Sequence, residues 1–314
     1  MTLQHDPEFL EAFMALLARI GEIEVPDVID VAALRELSRI DLPLYGKLFD
    51  RPGDVDWTPI QIMREDGSTL HLRWYEKSGA AAGSAVVYAH GGGMIMGSLD
   101  DFDAILARYV SESGVPILAV EYRLAPEHPA PAGVDDCLAA LDWLVAEAGT
   151  LGIDPARIGV MGDSGGGALA ASAALAVRDR GGPPLAKQIL VYPMLDDRTR
   201  VPDPVIAPLV TWTYVNNVVA WDAVLGDTPA DALPPVAPAR ADDLTGLPST
   251  YIDVGELDIF RAEDVEYAAR LSAAGVSVEL HVHPGVPHAF ELAAPDIAVS
   301  RRVLADRYRA MRSF

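Results

Sequence analysis

From Ser84 onward the chain repeats one pattern: a short, continuously apolar run followed by a longer amphipathic segment. "SAVVYA", "VPILAVEY", "RIGVMG" and "AKQILVYP" read as strands, and residues 100–113, 134–148 and 166–180 carry helical spacing. Strands apolar on both sides that alternate with helices imply a parallel sheet covered on both faces, an α/β fold. The alternation breaks over residues 196–245, where Pro, Asp and Trp collect. "PLVTWTYVNNVVAWDAVLG" within that stretch reads as helical. The pattern resumes with "STYIDVG", a helix at 261–274, "VSVELHVH" and a closing helix at 296–312. Ahead of it lie two amphipathic helical stretches before residue 50 and a β-hairpin, "TPIQIMRED" to "TLHLRWYEK", turning at Gly67-Ser68. The expected organisation is a helical arm at 1–56 and a main domain at 57–314 with an insertion at 196–230.

One strand-to-helix junction stands out. In "VMGDSGGGALAASAALAV" four glycines surround Ser164. A phosphate cradle, a packing turn and an exposed nucleophile are the three readings. A phosphate loop would need a lysine after the glycines, and none follows. Gly162-Asp163-Ser164-Gly165-Gly166 instead matches G-x-S-x-G, a sharp turn that lifts a serine hydroxyl above the sheet. Such a serine needs a base and fixed donors for a developing oxyanion. Three consecutive glycines in "HGGG", after an earlier strand, allow backbone N–H groups to approach a substrate, together with the amide of Gly165. His90 in that motif reads as a loop-orienting residue.

Of the seven histidines, His288 lies on the loop after the last strand, where catalytic groups of a parallel sheet gather. His5 and His71 are poorly placed. His281 and His283 share one face of a strand, but no further His or Cys completes a metal site. The acid should sit after the preceding strand, which makes Asp258 the candidate and Glu256 the alternative. The order Ser164, Asp258, His288 is that of strand-turn hydrolases.

These motifs resemble the hormone-sensitive-lipase-like family of α/β-hydrolases, in its bacterial esterase branch. The resemblance rests on "HGGG" at 90–93, "YRLAPEHPAPA" at 122–132, "GDSGGG" at 162–167, "GELDIFR" at 255–261 and "PHAFE" at 287–291. It implies hydrolysis of short-chain carboxylic esters without cofactor or metal, beneath a cap built from the arm and the insertion. Ser164 would be the nucleophile, His288 the base and Asp258 the acid, with oxyanion donors on Gly92, Gly93 and Gly165. Met94, Asp163, Trp212, Tyr214 and Phe290 are the expected substrate-contacting residues. Tyr122, Arg123 and Glu127 are expected to form a structural knot beneath the site. The chain departs from the family pattern at Gly165 (usually Ala), at Met94 (usually aromatic) and at Ile259-Phe260 (usually Pro-Leu). Related folds also serve lactones, amides and acetylated compounds, and some family members are receptors that have lost the histidine.

Composition narrows the partners. Lys and Arg number 24 against 46 Asp and Glu, a net charge of −22, which repels phosphate backbones and anionic membranes. Neutral or cationic esters are favoured over anionic ones. Cys137, the single cysteine, falls on the apolar face of helix 134–148 and reads as core. The start "MTLQHDPEFLEAF" has no signal-peptide pattern and no apolar run spans a bilayer, so the cytoplasm is expected. The strand "VSVELHVH" is a candidate sheet edge for a homodimer.

Overall fold

The computed structural model describes residues 3–20, 26–64, 66–80, 83–228 and 236–314. Residues 1–2 and 21–25 of the expected arm, and 229–230 of the expected insertion, lie outside them. Among the described residues, eight strands form one sheet in the order β1-β2-β4-β3-β5-β6-β7-β8. β1 (Val55–Met63) and β2 (Thr69–Lys77) are the hairpin, antiparallel to each other, and β2 is antiparallel to β4 (Ile117–Val120). β3 (Ala85–Ala89), β4, β5 (Ile158–Asp163), β6 (Lys187–Val191), β7 (Ser249–Gly255) and β8 (Val278–His283) run parallel. β8 edges the sheet.

The continuous apolar runs are explained by a core on each face. Along β3, Ala85, Val87 and Ala89 join one cluster while Val86 and Tyr88 join the other, as the two-residue side-chain period requires. α4 (Ala132–Leu151), α5 (Gly165–Asp179) and α7 (Arg261–Ala273) pack on the first face, with Cys137 buried among Val134, Leu141 and Leu144. α3 (Leu99–Ser113) and α9 (Ala298–Met311) cover the second through Leu106, Tyr109, Leu304 and Met311.

The arm contributes α1 (Pro7–Ile20) and α2 (Val31–Gly46). α1 lays Phe9 and Leu16 on Val286, Phe290 and Val303, so the start of the chain seals a loop near its end. In the 196–228 region, only α6 (Tyr214–Leu225) and a short 3-10 turn at Ala207–Leu209 are helical. The longer helix expected there is interrupted at 210–213, where Thr213 caps α6 by accepting from the Asn216 amide at 3.1 Å.

The "YRLAPE" segment is three separate ties rather than one knot beneath the site. Tyr122 donates to the His90 carbonyl at 2.8 Å. Arg123 binds the buried Asp136 of α4, as does Arg64 from the hairpin. Glu127 is exposed and takes a forked pair of bonds from Arg35 of α2 at 2.6 and 2.7 Å. Arg35 also donates to the carbonyls of Ile95 and Ala125, so it fastens the arm to the loops around the glycines.

Trp221 is fully buried and anchors α6 to the core. Trp221→Ala should cost about 3–5 kcal/mol, read as a lower urea midpoint with an unchanged slope.

Candidate active site

Ser164 stands between β5 and α5 with φ 53° and ψ −118°, a backbone conformation that costs about 1–3 kcal/mol for a residue with a Cβ. The turn closes because Gly162 and Gly166 have no side chains. A Cβ on Gly162 would lie 2.1 Å from the Gly166 carbonyl oxygen, and one on Gly166 would lie 2.1 Å from that of Ala89. The Ser164 amide donates to Val191 O at 2.8 Å, and its carbonyl accepts from Met194 N at 3.0 Å. The strained residue is therefore pinned to the end of β6.

His288 and Asp258 reach this serine from two other strand ends. His288 Nε2 lies 2.9 Å from Ser164 Oγ, and His288 Nδ1 lies 2.6 Å from Asp258 Oδ2. An ionised carboxylate only accepts, so Nδ1 carries the hydrogen and Nε2 is left to accept from the serine hydroxyl. Asp258 is wholly buried, with Oδ1 accepting from the Phe260 amide at 3.0 Å. The rings of Tyr192 and Phe260 meet the imidazole edge-on, at 4.6 and 5.1 Å between centroids. Glu256, the alternative acid, accepts from the Gly285 amide at 3.0 Å and splints the loop that carries the histidine.

The glycine loop after β3 packs against the start of α5. A Cβ on Gly165 would come within 2.7 Å of Met94 N and 2.9 Å of Gly93 Cα. The Gly165 amide is at the first helical position, where no preceding turn supplies an acceptor. His90 is fully buried, with its Nδ1 2.7 Å from the Gly91 carbonyl and its ring stacked on Tyr122 at 4.3 Å. Burial lowers its pKa, which disfavours the charged form.

A cavity of about 750 Å³, including the solvent at its mouth, opens over Ser164 and His288. Gly91, Gly92 and Gly93 form part of its wall, as do Asp163 and Trp212. Three expected contacts go elsewhere. Met94, at φ 61°, turns its side chain into a separate cavity with Val134 and Leu169. Tyr214 packs in the core through α6, and Phe290 is buried with Phe9 and Val286. In each case a neighbouring helix supplies a large apolar face, and burying the side chain there removes more surface from water. The cavity wall also holds Phe9, Phe13, Asp41, Tyr45, Phe102 and Tyr192, which sequence reasoning did not identify. The apolar stripes of α1 and α2 were legible, but not what they cover.

Two buried charge arrangements lie close by. Asp163 accepts from the Tyr88 hydroxyl, and burial pushes its pKa up to about 7 despite that bond. Beneath His288, Arg307 of α9 makes a two-point bond to Asp253 at 2.7 and 2.8 Å and a third to Glu291 at 2.6 Å. Tyr192 donates to the same Glu291 oxygen at 2.7 Å. Burial alone would raise the pKa of Asp253, but the adjacent guanidinium holds it below the ordinary value. This cluster ties together the ends of β6 and β7 and the histidine loop. His281 and His283 stack 5.9 Å apart on β8, and His281 lies 2.7 Å from Glu279. Among the described residues no group of three or more His, Cys, Asp or Glu side chains could hold a metal ion.

A serine on a strand-to-helix elbow, with a histidine and a carboxylate from later strand ends, defines a hydrolase of the α/β type. Comparison with known proteins agrees. Residues 86–292 match the family model described as alpha/beta hydrolase fold. The chain is 41% identical over 235 residues to carboxylesterase NlhH of Mycobacterium tuberculosis, spanning 72% of this chain and 73% of that protein. It is 36% identical to an ethyl acetate hydrolase of Pseudomonas putida, spanning 82% of each. The solved structure of a bacterial heroin esterase superposes with a TM-score of 0.86 at 37% identity, covering 98% of this chain and 97% of that one. The chain belongs to the α/β-hydrolase family, in its hormone-sensitive-lipase-like branch, and is a carboxylic ester hydrolase.

Two outcomes follow from the buried charges. Arg307→Met strands Asp253 and Glu291 and should cost about 3–5 kcal/mol in urea unfolding. Adding Asp253→Asn and Glu291→Gln should recover much of that loss. Asp163 binds its proton more tightly folded, at about 7, than an ordinary aspartate at 3.8. Its stabilising contribution is therefore full below pH ~4 and lost as pH rises through ~7. Asp163→Asn should flatten the decline in unfolding free energy across that window.

Proposed function

We propose that the protein hydrolyses short-chain carboxylic esters through an acyl-enzyme on Ser164, with His288 as base and Asp258 as acid. The observation that carries this reading is the unbroken line of two hydrogen bonds, 2.6 and 2.9 Å, ending at the cavity. Ser164 Oγ attacks the ester carbonyl carbon while its proton passes to His288 Nε2. The resulting oxyanion is held by the amides of Gly92, Gly93 and Gly165, aided by the positive end of α5. His288 then gives the proton to the departing alkoxide, and the C–O bond breaks. Water adds to the acyl carbon in the same way, its proton going to His288 and then to Ser164 Oγ, and the acid leaves. Asp258 keeps Nδ1 protonated and stabilises the imidazolium.

The helices of the arm and α6 act as a cap in this reading. Phe9, Phe13 and Tyr45 bring aromatic surface over the serine, restricting the room for long chains. The similarity to an ethyl acetate hydrolase supports small acyl and alcohol groups.

The test is burst and steady-state hydrolysis of 4-nitrophenyl butyrate. The expected result is a stoichiometric burst or steady turnover by the wild type. Ser164→Ala and Asp258→Asn should each lower kcat by about 10⁴-fold or more, because one removes the nucleophile and the other the tautomer. Hydrolysis that persists in folded Ser164→Ala overturns the acyl-enzyme. Gly165→Ala should lower kcat by about 10–100-fold and also lower the urea midpoint, because its Cβ presses the Gly93–Met94 backbone away from the oxyanion.

A further inference from the structure

We propose that the cavity is built for an ester bearing an ammonium group, with Asp41 of α2 as the residue that selects it. This names a substrate class for the site and rests on the esterase reading above.

The cavity that holds Ser164 and His288 is aromatic on several sides, with Phe9, Phe13, Tyr45, Phe102, Tyr192 and Trp212 in its wall. Phe9 and Phe13 stack face to face at 5.3 Å. Into this apolar wall the chain sets two carboxylates, Asp41 and Asp163, and no Lys or Arg lines the cavity among the described residues. Each carboxylate keeps one buried oxygen, Oδ1, without a hydrogen-bond partner. Asp163 is only 4% exposed, so its free oxygen is not left over from a surface group. A buried carboxylate oxygen without a donor is costly, and a fold normally satisfies it.

The cations of α2 do not neutralise Asp41. Arg35 is bound to Glu127 and Arg39 to Glu36. Burial pushes the Asp41 carboxyl up to about 6, and the charge of Asp101 on α3 adds to the effect. Asp41 is therefore mostly ionised at pH 8. A ligand that enters with its own positive charge supplies the missing counterion. An ammonium group also suits the ring faces, which attract cations. A neutral alkyl group of the same shape gains only the apolar contact, and an anionic ester meets two like charges.

The test uses n-butyltrimethylammonium as a competitive inhibitor of 4-nitrophenyl butyrate hydrolysis at pH 8, for wild type, Asp41→Asn and Glu36→Gln. Glu36→Gln removes an exposed charge from the same helix. We expect the inhibition constant to rise at least tenfold in Asp41→Asn and to stay within twofold of wild type in Glu36→Gln. A second reading is the ratio of kcat/KM for butyrylcholine over its carbon isostere, 3,3-dimethylbutyl butyrate. The ratio should exceed one in the wild type and fall at least tenfold in Asp41→Asn. Because it is taken within each variant, a general loss of rate cancels.

Equal inhibition constants in wild type and Asp41→Asn, or a wild-type ratio at or below one, overturn the proposal. An equal rise in Glu36→Gln also overturns it, because overall charge would then account for binding. Calorimetric titration of n-butyltrimethylammonium into Ser164→Ala separates this from failure of the esterase reading. Heat lost on adding Asp41→Asn to that variant supports the ammonium site whatever the serine does, and no heat in Ser164→Ala overturns it.

Discussion

The contact on which the rest depends is backbone against backbone. Gly166 brings the first turn of α5 so close to the end of β3 that a methyl group would fall 2.1 Å from the Ala89 oxygen. That approach sets Ser164 at a strained φ of 53° and brings the Gly91–Gly93 loop alongside the same helix end. A serine one residue away, or an alanine at 166, would change the height of the hydroxyl and the place of the amides together. The strain is sustained because the serine's amide and carbonyl are both bound to the chain around the end of β6. A strained residue in a loop without such ties would relax.

Around this fixed point the molecule distributes charge unevenly. Below the histidine, one guanidinium serves two carboxylates and the hydroxyl of Tyr109, so the buried ions there are paired and hydrogen-bonded. Pairing of this kind adds little net stability but is costly to disrupt, and it holds three loops in one geometry. Above the serine the balance is reversed, with carboxylates beside aromatic rings and no cation in the cavity wall among the described residues. The lower carboxylates have a counterion within the fold, although Glu291 Oε2 is left without a partner, whereas the upper ones have no cation beside them in the cavity wall among the described residues. Position relative to solvent explains why both persist: the lower ions have no access to a ligand, and the upper ones face the cavity that receives it.

The site was legible from sequence to the extent that chemistry requires particular residues at strand ends. Ser164 was marked by its glycines, His288 by its loop, and Asp258 by falling between strand and helix, and these three are within hydrogen-bonding reach in the structure. The cavity wall was less legible. Met94, Tyr214 and Phe290 look like pocket residues by their distance along the chain from the motifs, yet they face into packed interfaces. Phe9, Phe13 and Tyr45 look like ordinary apolar stripes, yet they line the cavity that holds the serine. Helical periodicity tells which side of a helix is apolar and nothing about what that side meets. Gly165 shows the same limit: the sequence marks a departure from alanine, and only the structure places Met94 N 2.7 Å from the position of the missing Cβ.

By itself the sequence determined the alternation of strands and helices, the elbow and the order of the three polar residues, because these depend on local periodicity, turn chemistry and chain direction. It also determined the acidic balance, 46 Asp and Glu against 24 Lys and Arg. The tertiary structure alone decided that Arg307 gathers Asp253, Glu291 and Tyr109, that Arg35 fastens the arm, and that Asp41 enters the cavity beside aromatic rings. Those partners are separated by up to hundreds of residues, so their meeting depends on how α1, α2 and α9 settle on the sheet. That docking is a property of packed surfaces, which no local pattern in the chain encodes.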